Sequence, residues 1–421
     1  MSADQNRGGS ASARAGRAAG GPADERPGIV GEILFVELLG GFGDLLIALP
    51  AIHRLADSHP EAALRVVTFA PGGQLLAGDP RVGEVIELAD HTAPAIHAAL
   101  AAAVARRRPD LVVTTSRHSG IPALLARAME RSGDTSGGSA RVPALVADLW
   151  RQPPATEPVG TRYLRLLAAD GWVDSTPRQP GRTAPGAVAL DEGERAEGAR
   201  WLRRFTGGRA CPVLLVPEAG MAVKRWPARR WSALARELDR RGHPVLSAST
   251  HVRFERGTPV QVLPPAPLRL FAAVGAATGR AGGVVVGGDT GPVRLAVAVG
   301  APAVGLFGPT SASRYGFAPS VPAQDTPRPR TGTSGTSAAG WERHAPVAVV
   351  DLQGLPGCPV RRPLAITEQE CWWTADCPLS ETDPACMVDL GVTAVAVAVA
   401  RTVAAGQVYS ESSSVVRRFV R

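Results

Sequence analysis

EILFVELLGGFGDLLIALPAIHRLADS, residues 32–58, decides the fold. Ile33-Leu34-Phe35-Val36 is a short unbroken apolar run, the pattern of a strand buried on both faces. Gly40, Gly41 and Gly43 let the chain turn sharply and let a ligand approach the backbone. Residues 45–58 then read as a helix. Strand, glycine turn and helix open a parallel α/β unit. The free amides at the helix start would point into the crevice at the strand end, where α/β ligands bind.

The alternation continues outward. Residues 64–69, 84–88 and 111–115 read as strands, and 94–108 as an Ala-rich helix. Residues 132–160 hold Gly, Ser, Thr and Pro clusters and read as a loop or linker, followed by a helix over 161–169. A second Pro/Gly/Arg-rich break at 177–185 marks a change of domain. The pattern restarts with strands at 211–216, 244–249, 283–287 and 303–307, and helices at 228–241, 268–277 and 291–300. Two successive α/β units of similar size predict two facing Rossmann-like domains with a cleft between them. The expected boundaries are a disordered tail over 1–27, a first domain over 28–180 and a second over 181–405. Within the second, 319–346 reads as a flexible insert. A helix is expected near 392–403, with a polar tail over 406–421.

Length and composition bound the function. A chain of 421 residues, 45% apolar and 20% charged, is an ordinary two-domain globular protein. The net charge of +8 comes from arginines spread along the chain, and aromatics are only 5%. No basic-aromatic interleaving appears, so a preference for anionic ligands is expected rather than nucleic-acid binding. Five cysteines, an odd number, read as reduced thiols. With no apolar leader and no apolar span of about 20 residues, the expected location is cytoplasmic, with possible peripheral contact at the inner face of a membrane.

Three places carry chemistry. Asp44 closes the first glycine turn, either as a helix cap or as a general base facing the cleft. The turn is an incomplete GxGxxG, because its third glycine is missing. The second place is the only lysine among 46 basic residues, Lys224, in Pro217-Glu218-Ala219-Gly220-Met221-Ala222-Val223-Lys224-Arg225-Trp226-Pro227. A compact ammonium suits contact with a diphosphate in a way that the planar guanidinium does not reproduce. The third is Gly287-Gly288-Asp289-Thr290-Gly291-Pro292-Val293-Arg294, between an apolar strand and an Ala/Val helix. Asp289 or Thr290 can cap that helix, and Pro292 fits its first turn. The amides of Thr290 and Gly291 are then available to phosphate oxygens, and Arg294 can add a charged fork. Gly305-Leu306-Phe307-Gly308-Pro309-Thr310 would line the same crevice.

Other classes fall away. The single lysine stands in no GK[ST] phosphate loop, and neither HExxH nor GxSxG occurs. Cys358, Cys371, Cys377 and Cys386 are too irregularly spaced for a standard zinc site, so no metal is expected. Trp372 and Trp373 beside them read as packing residues.

Together these motifs resemble glycosyltransferase family 9, the ADP-heptose:lipopolysaccharide heptosyltransferase type, of GT-B fold. ILFVELLGGFGDLLIALPAIHRL, residues 33–55, is similar to the family's strand–GxGD–helix opening. KRWPARRWSALARELDRRG, residues 224–242, is similar to its K-x-W-P segment. VVVGGDTGPVRLAVAVGAPAVGLFGPT, residues 284–310, is similar to its D-T-G-P-x-H block, and Cys386-Met387 to its closing Cys-Met pair. The resemblance covers residues 31–317 and resumes over 352–403.

It implies an inverting, metal-independent transfer without cofactor, from a nucleotide-sugar donor such as ADP-heptose to a glycan or small-molecule acceptor. Asp44 matches the family's proposed base, with Gly41 and Gly43 in the acceptor-side loop. Lys224 matches the lysine at the donor phosphates, Asp289 the donor-sugar aspartate, and Thr290 and Gly291 the phosphate-binding amides. Two positions depart from the pattern. Arg294 stands where the family has His, and Arg does not titrate near neutrality. Glu218 stands where glycine is common, and its carboxylate would repel a diphosphate unless it turns away or pairs with Arg225. These departures keep a non-catalytic nucleotide-sugar-binding protein as an alternative. Gly41-Phe42-Gly43 with Asp57 downstream leaves an NAD(P) oxidoreductase as another.

Overall fold

The computed structural model describes residues 30–131, 145–151, 156–174, 187–249, 251–317 and 347–418. The expected tail over 1–27 and the insert over 319–346 lie outside these residues.

The first domain runs β1 (Glu32–Glu37), α1 (Phe42–Ser58), β2 (Ala63–Phe69), β3 (Glu84–Leu88), α2 (Ala93–Arg106), β4 (Leu111–Thr114), α3 (Ile121–Arg131), β5 (Leu145–Asp148) and α4 (Val159–Ala169). Its strands form one all-parallel sheet in the order β3-β2-β1-β4-β5. The apolar run of β1 explains its central place. Ile33 and Phe35 pack with Leu45, Leu49 and Ile52 of α1, while Leu34 and Val36 pack with Ile96 and Leu100 of α2. Both faces are covered, as a parallel sheet requires.

The second domain runs α5 (Glu192–Thr206), β6 (Val213–Val216), α6 (Ala228–Arg240), β7 (Val245–Ser247), β8 (Gln261–Val262), α7 (Leu268–Arg280), β9 (Val284–Gly288), α8 (Gly291–Ala298), β10 (Ala303–Phe307), α9 (Ala312–Tyr315), β11 (Val349–Gln353), α10 (Cys371–Thr374), α11 (Ala385–Asp389) and α12 (Val392–Arg418). Its sheet is also parallel, in the order β11-β10-β9-β6-β7-β8. From β6 the chain builds outward to β8, then crosses to β9 and builds the other way. The carboxyl ends of β6 and β9 are therefore a switch point, where open α/β sheets bind ligands.

The domains meet through helices. Ala272, Ala273 and Ala276 of α7 and Leu295 of α8 join the same apolar cluster as Leu45 and Leu49 of α1. At the head of this contact a Cβ on Gly43 would stand 3.1 Å from the Gly291 Cα, and one on Gly291 2.6 Å from the Phe42 ring. The two glycine turns touch because neither carries a side chain there.

The sequence reading misses several elements. β5 falls within the stretch read as linker. It is a four-residue edge strand paired to β4, too short to announce itself beside Gly and Pro clusters. α5 is nearly half charged and buries only Gly198, Leu202 and Thr206. Its signal was a capping box, in which Asp191 accepts from the Glu194 amide at 2.8 Å and Glu194 from the Asp191 amide at 2.9 Å. α12 continues beyond the expected 392–403 to Arg418.

Candidate functional site

A cleft of about 1450 Å³ separates the carboxyl ends of β1 on one side from those of β6, β9 and β10 on the other. Gly41, Gly43, Asp44, Lys224, Asp289, Thr290, Gly291 and Arg294 all line it. The chain thus brings together residues up to 253 positions apart, all from the loops that follow parallel strands or the first turns of the next helices.

The second-domain wall centres on Asp289. Lys224 ends a 3-10 turn (Ala222–Lys224) just beyond β6, and its Nζ donates to Asp289 Oδ2 at 2.8 Å and to the Asp289 carbonyl at 3.3 Å. Arg294, one turn into α8, donates to Asp289 Oδ1 at 3.2 Å and to the Tyr315 carbonyl at 2.7 Å. Two cations thus share one carboxylate. Burial raises the proton affinity of Asp289, but Lys224 and Arg294 outweigh it and hold the carboxyl below its usual range. One positive charge is left over, facing the cleft.

Thr290 is the N-cap of α8 by backbone geometry (φ −141°, ψ 155°), and its side chain does not cap. Its buried hydroxyl makes no hydrogen bond among the described residues. With Pro292 in the first turn, α8 opens on amides of Gly291 and its neighbours and on an orphan hydroxyl. That arrangement suits phosphate oxygens.

The first-domain wall carries Asp44, the third residue of α1, whose amide donates to the Gly41 carbonyl at 2.9 Å. The N-cap is Gly41, without a side-chain hydrogen bond, so Asp44 is not the cap that the sequence allowed. Burial pushes its carboxyl up to about 6. Lys224 and Arg294 pull it down across the cleft, and Asp289 pushes it up. Asp44 therefore responds to all three donor-side charges. A carboxyl near 6 is mostly ionised at neutral pH yet basic enough to take a proton, the setting for a general base.

Behind the turn lies a residue that sequence reading passed over. Glu37 ends β1, is 1% exposed, and accepts from the Leu39 amide at 3.1 Å. Burial, then the Asp44 charge, push its carboxyl up to about 8. The signal was a carboxylate at the end of an otherwise apolar run. Tyr163 of α4 is buried beside both acids, and its hydroxyl is raised by burial and then by Glu37 and Asp44.

The two unusual positions resolve differently. Glu218 Oε1 accepts from Ser249 Oγ at 2.8 Å and from the His251 amide at 2.6 Å, so it is engaged at the end of β7. Arg225 Nε donates to the Ala219 carbonyl at 3.3 Å. Arg294 keeps a charged donor at the head of α8. Asp57, which a dinucleotide reading would need at a ribose, sits in the last turn of α1 and pairs with Arg81 at 2.8 Å.

The Cys/Trp segment contributes to the cleft. Trp372 and Trp373 line it; Trp372 is buried and Trp373 is 72% exposed. Of the pair, only Trp372 is the packing residue that sequence reading expected. Among the described residues, no group of three or more His, Cys, Asp or Glu is placed to hold a metal ion. No helix there is long and apolar enough to cross a membrane.

Residues 144–326 match the family model for glycosyltransferase family 9 (heptosyltransferase). That span holds Lys224, Asp289, Thr290, Gly291 and Arg294; Asp44 and the segment after 326 lie outside it. No curated protein matches the chain. Among solved structures, ADP-heptose lps heptosyltransferase II of E. coli aligns with a TM-score of 0.55 and 15% identity, covering 89% of this chain and 99% of its own. A family 9 glycosyltransferase of Veillonella parvula aligns with a TM-score of 0.53 and 17% identity, covering 68% of this chain and 83% of its own. At such identities these two likenesses establish the fold, GT-B. The sequence match places a glycosyltransferase family 9 (heptosyltransferase) domain over residues 144–326, and the chain is a glycosyltransferase.

Proposed function

We propose that this enzyme transfers a heptose-like sugar, with inversion, from an ADP-heptose-type donor to a hydroxyl of a glycan or small-molecule acceptor. One observation carries the reading: a carboxyl poised near 6, Asp44, faces a surplus-positive cluster of Lys224, Asp289 and Arg294 across one cleft. The ADP-heptose named for the E. coli structural neighbour supports the choice of donor.

The chemistry follows from charge. The diphosphate lies against the α8 amides, the Thr290 hydroxyl, Lys224 and Arg294. Asp289 faces the donor sugar. Asp44 takes the proton of the acceptor hydroxyl as that oxygen attacks the anomeric carbon from the opposite side. The new glycosidic bond forms as the bond to the β-phosphate oxygen breaks, and the configuration inverts. Negative charge grows on the departing diphosphate, where each fixed donor is worth about 3–4 kcal/mol. Lys224 and Arg294 supply that charge stabilisation, so the reading assigns no step to a metal or cofactor. The expected setting is the cytoplasm or the inner face of the membrane.

A thermal-shift panel of nucleotide sugars tests the donor. An ADP-sugar at about 100 times its Kd should stabilise the fold by about 2.7 kcal/mol. Stabilisation by NAD(P), or by a UDP- or GDP-sugar in place of ADP-sugars, would contradict the proposal. Turnover should be unchanged by EDTA.

A further inference from the structure

The Lys224 ammonium has a second neighbour besides Asp289. Its Nζ stands 5.2 Å from the centroid of the Trp372 ring. Trp372 is 6% exposed and packs with Val223 and Cys371, so the indole is fixed against the same 3-10 turn that carries the lysine. Its amide donates to the Gln369 carbonyl at 3.0 Å, which ties α10 to the turn before it. Arg294 repeats the arrangement, with its guanidinium carbon 4.9 Å from the centroid of the Phe317 ring. Each cation therefore has Asp289 on one side and an aromatic ring on another.

An aromatic face attracts a cation through its quadrupole and adds no negative charge. A second carboxylate beside Lys224 would hold the ammonium as well but would cancel the charge that an anionic ligand needs. Two cations, one carboxylate and two rings leave the site ordered and still positive.

We propose that Trp372 is a positioning residue of the donor site: its indole face holds the Lys224 ammonium in place for a diphosphate without neutralising it. The segment around α10, outside the span matched to the family, thereby completes the nucleotide site. This inference rests on the reading of Lys224 as a diphosphate ligand.

The test is a double-mutant cycle on ADP affinity, measured by isothermal titration with the full chain. Lys224→Ala should weaken ADP by about 30-fold, the range for loss of a charged hydrogen bond. Trp372→Leu should weaken it by about tenfold, and Trp372→Phe, which keeps a ring face, by about twofold. In the Lys224→Ala background, Trp372→Leu should cost nothing further. Equal loss from Trp372→Leu in both backgrounds, or no loss in wild type, would overturn the positioning role while leaving the donor site standing. Unchanged affinity in Lys224→Ala would instead overturn the donor-site reading itself, and this inference with it. Should Trp372→Leu lack a cooperative melt, Trp372→Met, which fills the space without a ring, takes its place in the same cycle.

Discussion

Asp44 and Asp289 occupy matching places in the two domains. Each follows glycines at the carboxyl end of a central parallel strand, each stands at the start of the next helix, and both line one cleft. Yet burial wins at Asp44, which rises to about 6, and cations win at Asp289, which falls below its usual range. Asp289 touches Lys224 and Arg294 directly, whereas Asp44 feels them only across the gap. The same residue type in the same local motif is thus a permanent anion in one domain and a proton acceptor in the other. Distance to the two cations decides which.

The largest way to break this comparison is Asp44→Asn. Removing the base should cut turnover of an ADP-sugar by about a thousandfold while ADP affinity stays within about twofold. Wild-type turnover would remove Asp44 from the chemistry. Asp289→Asn should act on stability instead. Lys224 and Arg294 would lose their shared anion, and thermal unfolding should report a loss of about 3 kcal/mol. ADP should bind at least as well, since the site becomes more positive; a clear loss of ADP affinity would contradict the surplus-charge account.

Gly291→Ala sharpens the comparison by parting the two turns. A Cβ there meets the Phe42 ring, so overpacking should cost about 2 kcal/mol of stability. Turnover should fall further than ADP affinity, because Asp44 and the donor wall are driven apart. The smallest effect concerns stability in Asp44→Asn. The folded carboxyl near 6 lies above its ordinary value of 3.8, so its ionisation opposes folding at neutral pH. The variant should therefore be the more stable of the two at pH 7, as read by its melting temperature. That gain should shrink as pH falls through 6 and vanish below about 4, where aspartate is protonated in both states.

How much of this was legible in the sequence depended on the length scale of the signal. Runs such as residues 33–36 and 284–286 announce buried parallel strands, and the glycine turns beside them announce where ligands approach. The gathering of Asp44, Lys224, Asp289 and Arg294 was legible only through ordered motifs, since no local pattern states that α1 and α8 meet head to head. β5 was lost because four residues at a sheet edge carry too little periodicity. Glu37 was passed over, and Trp372 was read only as packing, for a different reason. A buried carboxyl and a buried indole look like ordinary strand-end and packing residues until their neighbours, Asp44 and Lys224, are known. The departure at Glu218 could not be weighed from sequence, because Ser249 and His251, which hold it, come from the next strand's loop.

The most direct measurement is a carboxyl-carbon NMR titration of protein labelled at aspartate, with Asp44→Asn and Asp289→Asn used to assign the two signals. The account predicts that Asp44 titrates at about 6 while Asp289 titrates below the ordinary aspartate value of 3.8. Two signals moving together at the ordinary aspartate value would contradict it, because the cleft would then treat both acids alike.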